Sequence, residues 1–229
     1  MKHLAYFIVI CSILLMIVSG CSSSTPQPAP SYSNLSFFHG APSSPPLNVY
    51  LDGKQLNSSA FEYGSFSGAL PQTSGNRILE FKSFTNNLSL IDTTFNLLAG
   101  KGYSVFVVNR QLTIKPLVTL DEGEFTSLSA NMMIRFIHLS PDTPGAYLAI
   151  TGETASLLPF RTYQQATAFT ETPSKSYAFE IRAISDNTVL GATTSFSFQS
   201  GTYYTIALYG YSKPPAGNNN KLAVKLLTY

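Results

Sequence analysis

With 229 residues, 44% of them hydrophobic, only 11% charged and a formal net charge of +2, the chain is charge-poor beside the roughly 25% of an average soluble domain. It lacks the clustered Lys and Arg that gripping a phosphate backbone requires, which excludes a nucleic-acid binder. The length accommodates one or two domains, and their exposed faces must be built from Ser, Thr, Asn and Gln.

The chain opens on Lys2 and His3, followed by an apolar run of 15 residues from Leu4 to Val18. A spanning helix needs about 20 residues, so residues 1–20 read as a signal peptide rather than as part of the fold; an uncleaved membrane anchor is the alternative. Val18-Ser19-Gly20-Cys21 resembles the bacterial lipobox. Its small residues at 19 and 20 let a peptidase reach the bond before Cys21, and the thiol is the soft nucleophile that accepts a diacylglyceryl group. The resemblance implies cleavage after Gly20, lipidation of Cys21 and a membrane partner held through that lipid. Several acyl chains on one cysteine anchor firmly, where one alone holds only marginally. Of the two cysteines, Cys11 leaves with the signal peptide, so the mature chain has no disulfide and must stand on its own core. Ser22 points to outer-membrane sorting by analogy with other lipoproteins, with the surface and periplasmic faces both open.

Ser22 to Ser31 holds small polar residues and alternating prolines, an extended tether that closes a 21–32 segment with the lipidated cysteine. Strands are expected near 35–39, 47–52, 59–68, 76–84, 89–98, 102–109 and 112–119. In Arg77 to Phe84, Leu79 and Phe81 share one face while Glu80 and Lys82 share the other, the period of a half-buried strand. Asp121-Glu122-Gly123-Glu124 is the densest acidic run. It reads as a solvated linker turn, because calcium needs six to eight oxygens.

Beyond it the chain repeats itself. His39 and His138 lie 99 positions apart, as do Pro42 and Pro141, and Gly53 and Gly152. Glu80 pairs with Glu180 at 100, and Gly100 with Gly201 at 101. Ile114-Lys115 pairs with Val224-Lys225 at 110, the surplus falling in the Ser212–Asn220 loop. The organisation is therefore repeat 1 over 33–120, a linker over 121–130 and repeat 2 over 131–229. No window has a helical period. The fold class expected is all-β, two tandem immunoglobulin-like antiparallel β-sandwich domains related by duplication, with a small barrel as the other architecture.

Phe136-Ile137-His138-Leu139-Ser140-Pro141-Asp142-Thr143-Pro144, its counterpart from Phe37 to Pro42, Val49-Tyr50-Leu51-Asp52-Gly53, and Gly201-Thr202-Tyr203-Tyr204-Thr205 resemble a bacterial envelope family known as domain of unknown function 4397. Ser43 departs from its pattern where an Asp would stand, and Thr151-Gly152 replaces Asp-Gly. The resemblance implies exported β-repeats and brings no activity, ligand or functional residue with it.

His39 and His138 each end a strand before a Pro-bearing loop, where one ring nitrogen can donate to a loop carbonyl and pin the turn. With Arg135 facing solvent, Ile134, Phe136 and His138 would point inward. One His per repeat and no cysteine make a metal site implausible. No cofactor motif is present, and no Ser sits in a nucleophile elbow. In the strand from Tyr203, Tyr204, Ile206 and Leu208 point inward, leaving Tyr203, Tyr209 and Tyr211 as an outward row. Beside Asn218 and Asn219 of the Asn-rich loop, that row has the mix of rigid aromatics and adaptable amides used in recognition; packing against the other domain is the alternative. The function expected is a membrane-anchored, non-catalytic binding or adhesion module with a glycan or protein ligand. A structural envelope component joined through sheet edges and a cryptic hydrolase are the alternatives.

Overall fold

The computed structural model describes residues 31–109 and 113–229. The expected signal peptide over 1–20, Val18, Ser19, Gly20 and Cys21, and the tether as far as Pro30 lie outside the described residues. Within them the chain is all-β, with no helix.

The first half contributes β1 (Tyr32–His39), β2 (Leu47–Leu51), β3 (Lys54–Gln55), β4 (Leu70–Thr73), β5 (Gly75–Ser83), β6 (Ser89–Leu97), β7 (Gly102–Asn109) and β8 (Ile114–Asp121). They form two sheets, ordered β4-β1-β7-β8 and β3-β2-β5-β6. The second half contributes β9 (Asn131–Leu139), β10 (Ala146–Ile150), β11 (Leu158–Arg161), β12 (Gln165–Ala166), β13 (Thr170–Pro173), β14 (Ser176–Tyr177), β15 (Phe179–Ala183), β16 (Val189–Ala192), β17 (Phe196–Ser197), β18 (Tyr203–Tyr209) and β19 (Ala223–Thr228). Its sheets run β12-β9-β18-β19, with β13 also on β9, and β11-β10-β15-β16; β14 and β17 make a small ribbon.

Two expectations need correction. The sheets are not wholly antiparallel: β1 pairs in parallel with β7, with Phe37 opposite Val105, and β9 with β18, with Phe136 opposite Ile206. Between the paired strands the chain crosses through the other sheet, the long connection that parallel pairing needs. Nor is 59–68 a strand. Only the isolated bridges Leu47–Phe61 and Phe38–Phe66 survive there, because the chain turns at Gly64 with φ +78° and a Cβ at that position would lie 3.2 Å from the Tyr209 hydroxyl.

The core lies in three layers of side chains. Leu35, Phe37, Val49, Phe81 and Val105 fill the space between the sheets of the first half. Ile134, Phe136, Leu148, Phe179 and Ile206 do the same in the second. A third cluster, Phe38, Phe106, Val108, Ile137, Leu139, Ala207 and Leu227, packs the β1 sheet against the β9 sheet. The order of layers is therefore outer, inner, inner, outer. Each fully buried Phe or Leu contributes about 1.5–3 kcal/mol, and the seam cluster joins Ser31–Tyr229 into one compact unit.

This layering explains the two sequence patterns. The outer strand β5 alternates as expected, with Leu79 and Phe81 buried and Glu80 and Lys82 half-buried on the other face. The inner strand β9 is buried from Met132 through Leu139, since both of its faces meet another sheet. Arg135 does not face solvent; it is 1% exposed.

Gly210 closes β18 with φ +87°, and an added Cβ would sit 2.2 Å from the Lys221 carbonyl oxygen. Gly53, in the Asp52-Gly53 hairpin turn with φ 50° and 76°, has open space around it. In urea and thermal denaturation, Gly210→Ala is expected to cost about 3 kcal/mol or more, a Tm drop of roughly 6–12 °C. Gly53→Ala, which meets only the left-handed backbone penalty, is expected to cost about 1 kcal/mol.

Candidate functional site

The two histidines occupy the same place in each half and do the same thing. His39 Nε2 lies 3.1 Å from the Pro45 carbonyl, and His138 Nε2 lies 3.0 Å from the Pro144 carbonyl. A carbonyl only accepts, so each Nε2 carries the proton and donates, pinning the loop after the strand. Both rings are fully buried. Burial pushes His39 down to about 4 and lowers His138, and the hydrogen bond to the loop carbonyl opposes it. Each is thus a neutral clip with Nδ1 unpaired in the core. Neither touches a nucleophilic side chain, and no three metal-ligating groups cluster among the described residues.

Pro42 and Pro141 shape the pinned loops, and the family's Asp shows why it can differ between them. Asp142 accepts the backbone N–H groups of Ser212 and Lys213, each at 2.8 Å. Ser43, its counterpart, bonds the Tyr211 hydroxyl at 2.8 Å. Gly152 keeps φ +85° in the turn after β10.

The tyrosine row is not an open recognition face. Tyr211 is buried, and Tyr209 packs edge-on to Phe38 at 5.3 Å and beside Tyr63 at 5.3 Å. Tyr203 packs against Phe125 and Phe169 and donates to the Gly123 carbonyl at 2.6 Å. The Asn-rich loop reaches across to the first half: Asn218 and Asn220 both donate to the Pro42 carbonyl at 2.7 Å. Asn219 stays exposed. The surplus residues of the second half therefore clasp the first, and Tyr209, Tyr211 and Asn218 are engaged in that junction.

Sequence reasoning missed the centre of the seam. Arg135 uses all five of its N–H groups there. Nε donates to Thr205 Oγ1 at 2.8 Å, Nη1 to Thr119 Oγ1 at 3.0 Å and Asp121 Oδ1 at 2.8 Å, and Nη2 to Ser104 Oγ at 2.9 Å and Tyr229 Oη at 3.0 Å. The guanidinium lies 4.4 Å from the Phe169 ring centroid, with Phe106 and Tyr229 rings further out. Ser104 donates in turn to Asp121 Oδ2 at 2.7 Å. Asp121, which the sequence placed in a solvated linker, ends β8 with its side chain 11% exposed. The remaining linker is tied down: Glu171 accepts from the Ser127 backbone at 2.9 Å and Asn131 Nδ2 at 3.0 Å. Hydrogen bonds from Thr126 and Asn131 hold its carboxyl down at about 2.

Beside this network the seam opens. A hollow of about 260 Å³ has Asn34, Ser36, Ala69, Asp121, Tyr203 and Tyr229 among its walls. A wider one of about 540 Å³ adjoins it, sharing Gly102, Asp121 and Tyr203 and adding Lys101, Glu122 and Glu124. Lys101 pairs with Glu122 at 2.9 Å. Both halves supply walls, so the cleft exists only when they are docked. Chemically it offers hydroxyl, amide and carboxylate groups beside aromatic faces, with no nucleophile–base pair.

These features define an all-β protein whose two sandwich-like halves share a cleft. The chain belongs to the family of the domain of unknown function (DUF4397), whose model matches residues 33–149, from β1 across the junction into β10. Among solved structures it is similar to CBMbc (family CBM26) from Eubacterium rectale Amy13K, determined in complex with maltoheptaose. That likeness covers 86% of this chain and 96% of the other, at 11% identity and a TM-score of 0.26. No match was found among curated proteins.

A buried neutral His binds fewer protons than the same residue in the unfolded chain, whose ordinary value is about 6.5. Its contribution is present above about pH 6.5 and falls as the pH drops towards the folded value, for His39 by about 3 kcal/mol in all. Urea denaturation between pH 7 and pH 4 is expected to show this loss in the wild type and a shallower one in His39→Gln. Parallel curves for the two would contradict the neutral clip.

Proposed function

We propose that the chain is a lipid-anchored, non-catalytic binding module of the bacterial cell envelope, with its ligand seated in the seam cleft. The observation that carries this reading is the cleft itself, where polar and aromatic groups from both halves converge on a hollow of about 260 Å³. Concave sites of this composition are where small ligands and ligand ends bind. His39 and His138 are engaged in pinning loops, and Ser36 and Ser104 bond each other in the seam. The expected glycan or protein partner is kept, moved from the tyrosine row to the cleft. Each half, over 33–120 and 131–229, is read as an immunoglobulin-like sandwich modified by its parallel strand pair.

The anchor rests on Val18-Ser19-Gly20-Cys21, and the tether to Ser31 gives the module its reach from the bilayer, in the outer membrane by the Ser22 rule. A second reading, a structural component joined to neighbours, draws support from β6, β8 and β19, which each end their sheets without a further strand on the outer side. Such free edges template strand addition.

In fractionated cells the wild type is expected in the membrane pellet with an acylated N-terminal Cys21 by mass spectrometry. Cys21→Ser is expected to lose both the acylation and the anchor. Membrane retention of a cleaved Cys21→Ser chain would contradict lipid anchoring. Protease shaving of intact cells beside a periplasmic control distinguishes the two faces.

A further inference from the structure

The seam cleft also carries information about the class of its ligand. Its only wall charge in the inner hollow, Asp121, is matched by Arg135 at 2.8 Å, with the two side chains 11% and 2% exposed. Asn34, Ser36, Tyr203 and Tyr229 are uncharged. In the outer hollow Lys101 is matched by Glu122, which leaves Glu124 as a single negative charge at the mouth. An anionic ligand would find no free cation and would be repelled at the entrance. A purely apolar ligand would strip water from the exposed Asn34 amide without replacing its hydrogen bonds, at a cost of about 1–3 kcal/mol.

What fits is an uncharged molecule with hydroxyls along its edge and C–H groups on its faces, because a Tyr presents an apolar ring beside a polar tip. A pyranose ring has this chemistry. The two hollows share Gly102, Asp121 and Tyr203, so they adjoin and together leave room for more than one linked ring. We infer that the seam cleft binds a segment of a neutral oligosaccharide chain, with Asn34 and Asp121 taking its hydroxyls and Tyr203 and Tyr229 beside its rings. This inference rests on the reading of the cleft as the binding site.

The test uses the mature lipidated protein in sugar-free lipid nanodiscs. Saturation-transfer NMR and calorimetry are run with maltohexaose, cellohexaose and chitohexaose, and with hexagalacturonate and a neutral Gly/Ser hexapeptide for comparison. Ala69 is exposed on the rim, so Ala69→Trp fills the hollow from outside the core. Asn34→Ala, also at an exposed position, removes one hydrogen-bonding group without filling space and keeps the site testable should Ala69→Trp fold poorly. At least one neutral hexasaccharide is expected to bind, with affinity lowered roughly three- to tenfold by Asn34→Ala, the worth of one hydrogen bond, and abolished by Ala69→Trp. Failure of all three neutral sugars overturns the inference. Binding of hexagalacturonate or the hexapeptide alone, blocked by Ala69→Trp, overturns the sugar class while the cleft remains the binding site. Sugar binding that neither variant weakens places the ligand elsewhere and overturns both readings.

Discussion

A single buried guanidinium restricts how the two halves of the described chain meet. Arg135 is 1% exposed in the middle of β9, and its five N–H groups are satisfied only if β7, β8, β18 and the C-terminal Tyr229 come to it together. Removing one partner of such a pair leaves an uncompensated charge, at a cost of about 3–5 kcal/mol. An apolar replacement of similar volume often costs nothing, so the net stabilisation by the pair is small. What it supplies is selectivity: any docking of the halves that displaced Asp121 or Ser104 would strand a charge in the core. The apolar cluster of Phe38, Phe106, Ile137 and Leu139 drives the sheets together, and the arginine restricts how they meet.

The two halves of the described chain follow one strand plan. Both copies keep the His clip, the turn glycine and the parallel central pair. They diverge where they touch. The second half carries the extra loop whose Asn218 and Asn220 hold the Pro42 carbonyl, while the first half has Ser43 to meet Tyr211 in place of the Asp that braces that loop in the second. The cleft lies elsewhere on the same seam and shares no lining residue with this clasp. Its walls come from β1 and β8 on one side and from Tyr203 and Tyr229 on the other, with Arg135 and Asp121 fixing the floor.

Much of the fold was legible in the residues. Alternation in β5 and β15 reported half-buried outer strands, and His39 and His138, which recur before proline loops, each place Nε2 on a loop carbonyl. The inner strands were legible too, in a signal read differently. Met132 to Leu139 is apolar on both faces except at Arg135 and His138, and a strand with no polar face is buried on both. Taking Arg135 as solvent-facing concealed the seam. Strand alternation alone made Tyr209 and Tyr211 look exposed, and the acidic run made Asp121 look like linker. Contacts between halves depend on which strand faces which across dozens of residues, and no local period encodes that. The parallel pairs were hidden for the same reason, since strand direction follows from the path between sheets.

The seam is thus the feature on which the fold and the candidate site converge. Native-state hydrogen exchange under rising denaturant measures its strength directly, by comparing amides of β1 and β7 with those of β9 and β18. If the seam joins the halves into one unit, the two sets share one opening free energy and their exchange isotherms merge into a single global unfolding. Separate isotherms, with one half exchanging freely while the other stays protected, would contradict a shared unit and with it a cleft built by both halves.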